Sequence, residues 1–147
     1  MKSRSGATSG LKVMLANTYA LYLKTQNYHW NVVGPHFNSL HLFFEGQYKA
    51  LAEAVDEIAE RIRALGDKSP GSFEEFISLK TIPEAKTAID AFAMIKDLVE
   101  SHDLVCKNLR LILKQAEDEE DDVTQDFIVQ RLAEHEKAMW MLRSHLE

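Results

Sequence analysis

The chain has 147 residues, 46% hydrophobic and 27% charged, with a formal net charge of −6. That is the size of one domain with a real core, and an acidic balance argues against a dedicated nucleic-acid surface, which needs clustered Lys and Arg to meet phosphates. The charge is uneven: residues 1–44 hold Lys2, Arg4, Lys12 and Lys24 and no acid, leaving −10 for the remainder, a body suited to attracting cations.

The single cysteine, Cys106, excludes an intrachain disulfide and fits a reducing compartment. No apolar run reaches the roughly 18 to 20 residues that span a bilayer. Basic residues precede an apolar stretch near the N-terminus, as in a secretory leader, but Lys12, Asn17 and Thr18 interrupt it and no small-residue cleavage site follows. The expectation is a cytoplasmic protein with no membrane segment.

Residues 1–10, rich in Ser and Gly, read as a short flexible tail ahead of a single domain over 11–147. The apolar spacing predicts a first helix over about 8–33, ending at "VVGPH". A second spans about 37–65, with Phe37, Leu40, Phe44, Tyr48, Leu51, Val55, Ile58, Ile62 and Leu65 alternating three and four apart before Gly66. "GDKSPGS" is a turn and "FEEFISL" a short helix before Pro83. A third long helix is expected over about 84–116, with Ala88, Phe92, Ile95, Val99, His102, Cys106, Leu109 and Leu113 on one seam. The fourth starts near Val123 and passes through Phe127, Ile128, Leu132, Met139 and Leu142. No strand-like alternation with hairpin turns occurs, so the fold is all-α: a four-helix bundle with a short helix in the connection between its second and third helices.

Bundles of this kind hold di-iron centres through Glu-x-x-His motifs, and this sequence has none, which disfavours an ordinary intrachain centre. The hairpin between the first two helices is different. His29 lies about one and a half turns before the break at Gly34 and Pro35, and His41 about as far after it, so an antiparallel hairpin sets them level. Glu45 follows one turn later on the same face, and two imidazoles with a carboxylate suit an iron(II) site with open positions.

Asp56 and Glu60 form a second acidic pair on the same helix, within an arc of roughly 100° that also holds His41 and Glu45. His41 and Glu60 are about 28 Å apart along that helix and cannot share an ion within one chain. Yet His41/Glu60 and Glu45/Asp56 have the same midpoint, between Ala50 and Leu51. A two-fold axis there would set His41 opposite Glu60 of a partner and Glu45 opposite its Asp56, giving two identical composite sites per dimer. The plain alternative is a structural histidine pair and a solvated acidic face in "EAVDEIAERIR".

At these residues the sequence resembles a known family. "NYHWNVVGPHFNSLH" followed by "AVDEIAERIRALG" is similar to the signature of the Dps family, the mini-ferritins named as DNA-binding proteins from starved cells, and the resemblance extends through "SFEEFISL" to "EHEKAMWMLRSHLE". It implies a ferritin-like bundle assembling into a hollow dodecamer, built from two-fold dimers, that oxidises iron(II) to iron(III), characteristically with hydrogen peroxide, and stores the ferric mineral during oxidative stress. Carried over by position, His29 and His41 would ligate iron from one subunit and Asp56 and Glu60 from its mate. Glu45 stands where the family commonly has Asp, with the same charge and one more methylene. Trp30 matches a tryptophan near the family's iron site; as a large aromatic it equally suits core filling.

The stretch "EDEEDDVTQD" (117–126) has two readings: acids that complement the dipole of the fourth helix, or, by resemblance, the lining of three-fold iron channels, where Asp121 and Asp126 match best. His36 reads as a loop residue, His102 and His135 as seam residues, His145 as terminal and Cys106 as packing. Gly46 inside the second helix is unexpected at a cost of about 1 kcal/mol relative to Ala, and would permit a close approach near the two-fold. Besides the ferroxidase and iron store, two other functions remain open. One is DNA compaction, for which the tail offers only Lys2 and Arg4, with Lys12 at its edge; the other is a helical assembly without chemistry.

Overall fold

The computed structural model describes residues 5–147. It contains five helices and, among the described residues, no strand: α1 (Ser5–Asn31), α2 (Phe37–Ala64), α3 (Phe73–Leu79), α4 (Ala91–Asp118) and α5 (Asp122–Arg143). The four long helices form two hairpins, α1 with α2 and α4 with α5, joined face to face through α1 and α4, while α3 lies against α1. This is the ferritin-like bundle with a short helix in its middle connection. No helix among the described residues is long and apolar enough to cross a membrane.

Helix α1 begins earlier than expected. Residues 5–10, assigned to a flexible tail by composition, are helical, and Ala7 is fully buried. Two small residues explain the packing: a Cβ on Gly6 would meet the Glu119 carboxylate, and one on Gly10 would meet the Ile112 side chain, each at 2.7 Å. Glycine here lets α1 lie close against the end of α4, and Glu119 accepts the Ala7 N–H at 3.1 Å, satisfying one of the free donors of the helix start. Lys2 and Arg4, the charges of the expected tail, lie outside the described residues.

The α1–α2 turn needs Gly34, which sits at φ +115° before Pro35. α2 ends in a Schellman-type cap: Gly66 is left-handed (φ +94°), and the Asp67 N–H reaches back to the Ile62 carbonyl at 3.3 Å. α3 opens on Ser72, which accepts the Glu75 N–H, while the Glu75 carboxylate accepts the Ser72 hydroxyl at 2.8 Å. Tyr19 of α1 stacks on Phe76 at 4.9 Å and holds α3 in place.

The third long helix starts at Ala91, seven residues later than expected. Ala88 adopts φ +56°, outside helical space, and Asp90 caps the new start by accepting the Ala93 N–H at 2.8 Å. Ala88 is therefore not part of the seam, and Phe92 is exposed. Buried polar groups fasten the intervening segment instead. Asn17 Oδ1 accepts the Thr81 N–H at 2.7 Å and the Ile82 N–H at 3.3 Å. Lys24 Nζ, almost wholly buried, pairs with Asp97 at 2.9 Å and donates to Ser101 Oγ at 2.8 Å and the Pro83 carbonyl at 3.1 Å. The Tyr28 hydroxyl donates to Asp97 and accepts the Lys86 N–H. Burial and the adjacent Asp97 push the Tyr28 phenol well above its ordinary range, so it stays protonated.

Lys24→Met should destabilise the fold by about 3–5 kcal/mol, because Asp97 would remain buried with the Tyr28 hydroxyl and, as its one cation, the exposed Lys86 ammonium at 3.7 Å. The Lys24→Met/Asp97→Leu double variant should recover much of that loss. Urea denaturation of the three proteins gives the comparison.

Candidate metal centre

His29 lies in the last turn of α1 and His41 in the second turn of α2. Their rings stack with centroids 3.8 Å apart and planes inclined by 12°. Each ring is bonded to the other residue's backbone: His29 Nδ1 is 2.6 Å from the His41 carbonyl oxygen, and His41 Nδ1 is 2.7 Å from the His29 carbonyl oxygen. The His29 carbonyl is available because α1 ends two residues later and its last carbonyls lack helical partners.

A carbonyl only accepts, so both Nδ1 atoms carry the proton and both Nε2 atoms keep their lone pair. That is the tautomer in which an imidazole binds a metal, and the Nδ1 bond also fixes the ring's orientation. Aromatic walls hold the pair. Tyr48 meets His29 edge-on at 5.1 Å, and Phe37 stacks on His41 at 5.0 Å. His29 is 5% exposed and His41 half-buried.

Glu45 stands one turn beyond His41, half-buried, with Lys49 at 3.5 Å. Asp56 and Glu60 are exposed, further along the same unbroken helix. Among the described residues, no three His, Cys, Asp or Glu side chains of one chain stand close enough to hold a metal ion. The structure thus brings His29 and His41 together and leaves Asp56 and Glu60 apart from them.

Trp30 is 59% exposed, which removes the core-filling reading of that side chain within the chain. The two channel candidates separate. Asp121 is 2% exposed and caps α5: it accepts the Thr124 N–H at 3.1 Å and pairs with Arg61 of α2 at 3.3 Å. The helix-start reading describes this residue, and its carboxylate is engaged inside the fold. Asp126 is exposed and accepts from Gln130 at 2.8 Å. Cys106 is buried as expected, and burial, with Glu136 and Asp103 nearby, pushes its thiol up to about 11.

Gly46 meets nothing of its own chain within 4 Å of a Cβ position, so no close approach inside the chain accounts for it.

Sequence reasoning treated His102 and His135 as separate seam residues. In the structure they face each other, Nδ1 to Nδ1 at 2.9 Å, with 2% and 1% exposure. Arg131 NH2 lies 3.4 Å from His135 Nε2. Burial drives both imidazoles toward the neutral form, His102 down to about 3 and His135 well below its usual range, with Arg131 adding to each shift. No spacing signal reveals the pair, since its members lie 33 positions apart on different helices.

Two antiparallel helical hairpins, a short helix in the crossover and an interior of this kind define a ferritin-like protein, and residues 9–147 match the Ferritin family, a ferritin-like domain. The chain is 43% identical over 148 residues to a low temperature-induced protein of Nostoc sp., covering 99% of this chain and 83% of that one. It is 34% identical over 136 residues to DNA protection during starvation protein 2 of Bacillus anthracis, covering 92% and 93%. The solved structure of the DPS protein of Vibrio cholerae O1, described as a member of a broad superfamily of ferritin-like diiron-carboxylate proteins, is similar with a TM-score of 0.93 at 32% identity, covering 98% of this chain and 91% of that one. The chain belongs to the Dps family.

The buried His102–His135 pair sets a pH dependence. Above the usual imidazole value of 6.5 neither the folded nor the unfolded chain binds the proton. Below it the unfolded chain takes up protons that the folded chain refuses, so stability falls as the pH falls, by about 1.4 kcal/mol per pH unit for each histidine. Urea denaturation between pH 6.5 and about 5 should show this slope, and His135→Gln should reduce it by about half.

Proposed function

We propose that this protein oxidises iron(II), preferentially with hydrogen peroxide, at composite sites between two-fold-related subunits, and stores the ferric product inside a hollow, cytoplasmic dodecamer. The observation that carries the reading is the reciprocal clasp of His29 and His41, which presents two neighbouring imidazoles with free Nε2 lone pairs. Membership of the Dps family and the ferritin-like, diiron-carboxylate description of the Vibrio cholerae relative support the same chemistry.

In this reading His29, His41 and Glu45 supply one half of the site, and Asp56 and Glu60 of the partner subunit supply the other. Hard carboxylate oxygens stabilise iron(III) more than iron(II) and so favour electron loss, while few protein ligands leave room for the oxidant. Two iron(II) ions give one electron each, the peroxide O–O bond breaks, and two protons complete two water molecules. Lys49 neutralises Glu45 in the absence of iron and would yield to a divalent cation. Trp30, exposed beside His29, is placed to take up stray oxidising equivalents. For iron entry, Asp126 is the exposed channel candidate, while Asp121 serves through the fold. A lone buried thiol suits a reducing cytoplasm.

The second reading, DNA compaction, is favoured by the name of the Bacillus anthracis relative, a DNA protection protein. Against it, twelve copies would carry about −72 by formal charge and repel a duplex. A gel shift at low salt decides: retardation would support compaction, and none is expected.

The composite site is tested by complementation. His29→Ala/His41→Ala subunits and Asp56→Ala/Glu60→Ala subunits should each assemble and each lose the fast phase of iron(II) oxidation by peroxide. Unfolded together and reassembled in equal amounts, they should regain about one quarter of the wild-type amplitude, since half the dimers are mixed and each mixed dimer rebuilds one of its two sites. No recovery in a well-mixed assembly would sink the intersubunit assignment.

A further inference from the structure

Three of the four tyrosines of the chain stand in one file that starts at the histidine clasp. Tyr48 of α2 meets the His29 ring edge-on at 5.1 Å, Tyr22 of α1 lies 5.9 Å from Tyr48, and Tyr19 lies 5.6 Å from Tyr22. Phe76 of α3, stacked on Tyr19 at 4.9 Å, holds the far end. All three tyrosines are half-buried. Centroid spacings of this size put neighbouring rings in van der Waals contact, so an electron crosses each step without leaving the aromatic groups. Phe37, stacked on His41, offers no such step, because a phenyl ring is far harder to oxidise than a phenol.

The register of the α1–α2 hairpin fixes where the file leads. His29 stacks on His41, and seven residues back along α1 and on along α2, Tyr22 meets Tyr48. The same register sets Tyr19 level with Leu51. A two-fold axis that pairs His41 with Glu60 of the partner subunit passes between Ala50 and Leu51, so Tyr19 stands at the level of the axis. The file thus runs from the clasp to the middle of the dimer, about 15 Å along the helices. Asp56 of the same chain, which serves the other composite site, lies about 7.5 Å further along α2. One file from each chain approaches the middle, and together they bridge the span between the two sites.

We propose that Tyr48, Tyr22 and Tyr19 form an electron relay between the two composite sites of a dimer, so that one peroxide draws its two electrons from iron(II) ions bound one at each site. The inference rests on the composite-site reading above and adds the connection between its two halves. Hydrogen peroxide at one site takes its first electron from the iron(II) there. The second comes from Tyr48, whose phenol gives its proton to water and becomes a neutral radical. The O–O bond breaks, and two protons from solvent complete two water molecules. Tyr22 and Tyr19 refill Tyr48 in turn, each phenol regaining its proton, and the iron(II) of the second site restores the last of them. Two iron(II), one peroxide and two protons become two iron(III) and two waters, with every tyrosine back in its starting state. Without the relay, a site holding a single iron(II) would supply one electron and release a hydroxyl radical.

The test uses the full assembly, loaded with iron(II) at one ion per composite site and mixed rapidly with peroxide. Wild type should oxidise about two iron(II) ions per peroxide, and any tyrosyl radical in freeze-quenched paramagnetic resonance spectra should decay as the second ion is oxidised. Tyr22→Phe keeps the ring and removes the oxidisable phenol at the middle step. Its ratio should fall to about one, and a tyrosyl radical should persist. Tyr19→Phe, at the other end of the file, should give the same two changes. Loading a second iron(II) at each site should return both variants to about two, which a variant damaged in fold or assembly would not do. At single loading, a ratio of about two or the absence of a lasting tyrosyl radical in both variants would overturn the relay and leave the composite sites in place. No fast iron(II) oxidation in wild type would overturn the composite-site reading and the relay together.

Discussion

The ion pair of Lys24 and Asp97 sets the register on which the rest of the bundle depends. Its side chains are 1% and 2% exposed, so each charge has lost its water and must be matched inside. Lys24 has three protons to donate and meets three acceptors: Asp97, Ser101 and the Pro83 carbonyl. Two of these are on α4 and the third lies in the connection after α3. A shift of α1 by even one residue would break all three contacts. Tyr28, one turn further on, fastens to the same Asp97, and the next residue is His29. The position of the first imidazole is thus fixed by a polar contact deep in the bundle.

From there α2 acts as a straight ruler. It runs 28 residues without a break, with His41 and Glu45 near one end and Asp56 and Glu60 near the other. At about 1.5 Å per residue, no side-chain motion brings the far acids to the near histidines of the same chain. Arg61 anchors the far end by bonding both Asp121 and Thr124 at the start of α5. The acids therefore sit on a segment held from behind and are exposed. Rigidity keeps the two groups apart and fixes the distance between them.

Much of this was legible in the sequence. The α2 seam, the prolines at the breaks and the short helix at "FEEFISL" follow from spacing and turn chemistry, and the level placement of His29 and His41 follows from counting back from Gly34. Composition misled at both edges of α1 and α4. "SGATSG" looks like a tail, yet its small residues are what let two helices approach closely. The stretch after Pro83 has helical spacing, but Lys24 binds the Pro83 carbonyl and Tyr28 the Lys86 N–H, and such long-range contacts have no local signature. Asp121 also escaped: an acid in a run of acids looks solvated, and only the fold shows it buried against Arg61.

The two histidine pairs show how little residue type alone decides. In the clasp, each Nδ1 meets a carbonyl, which can only accept, and both rings are left with lone pairs at Nε2. Inside the bundle, Arg131 can only donate, and that one contact passes through two rings to leave a proton at His102 Nε2. One pair is therefore left with lone pairs at Nε2 and the other with an N–H at His102 Nε2, although both are stacked or packed imidazoles between antiparallel helices. The difference lies in the single backbone or guanidinium neighbour that fixes the first tautomer, and every later assignment follows from it.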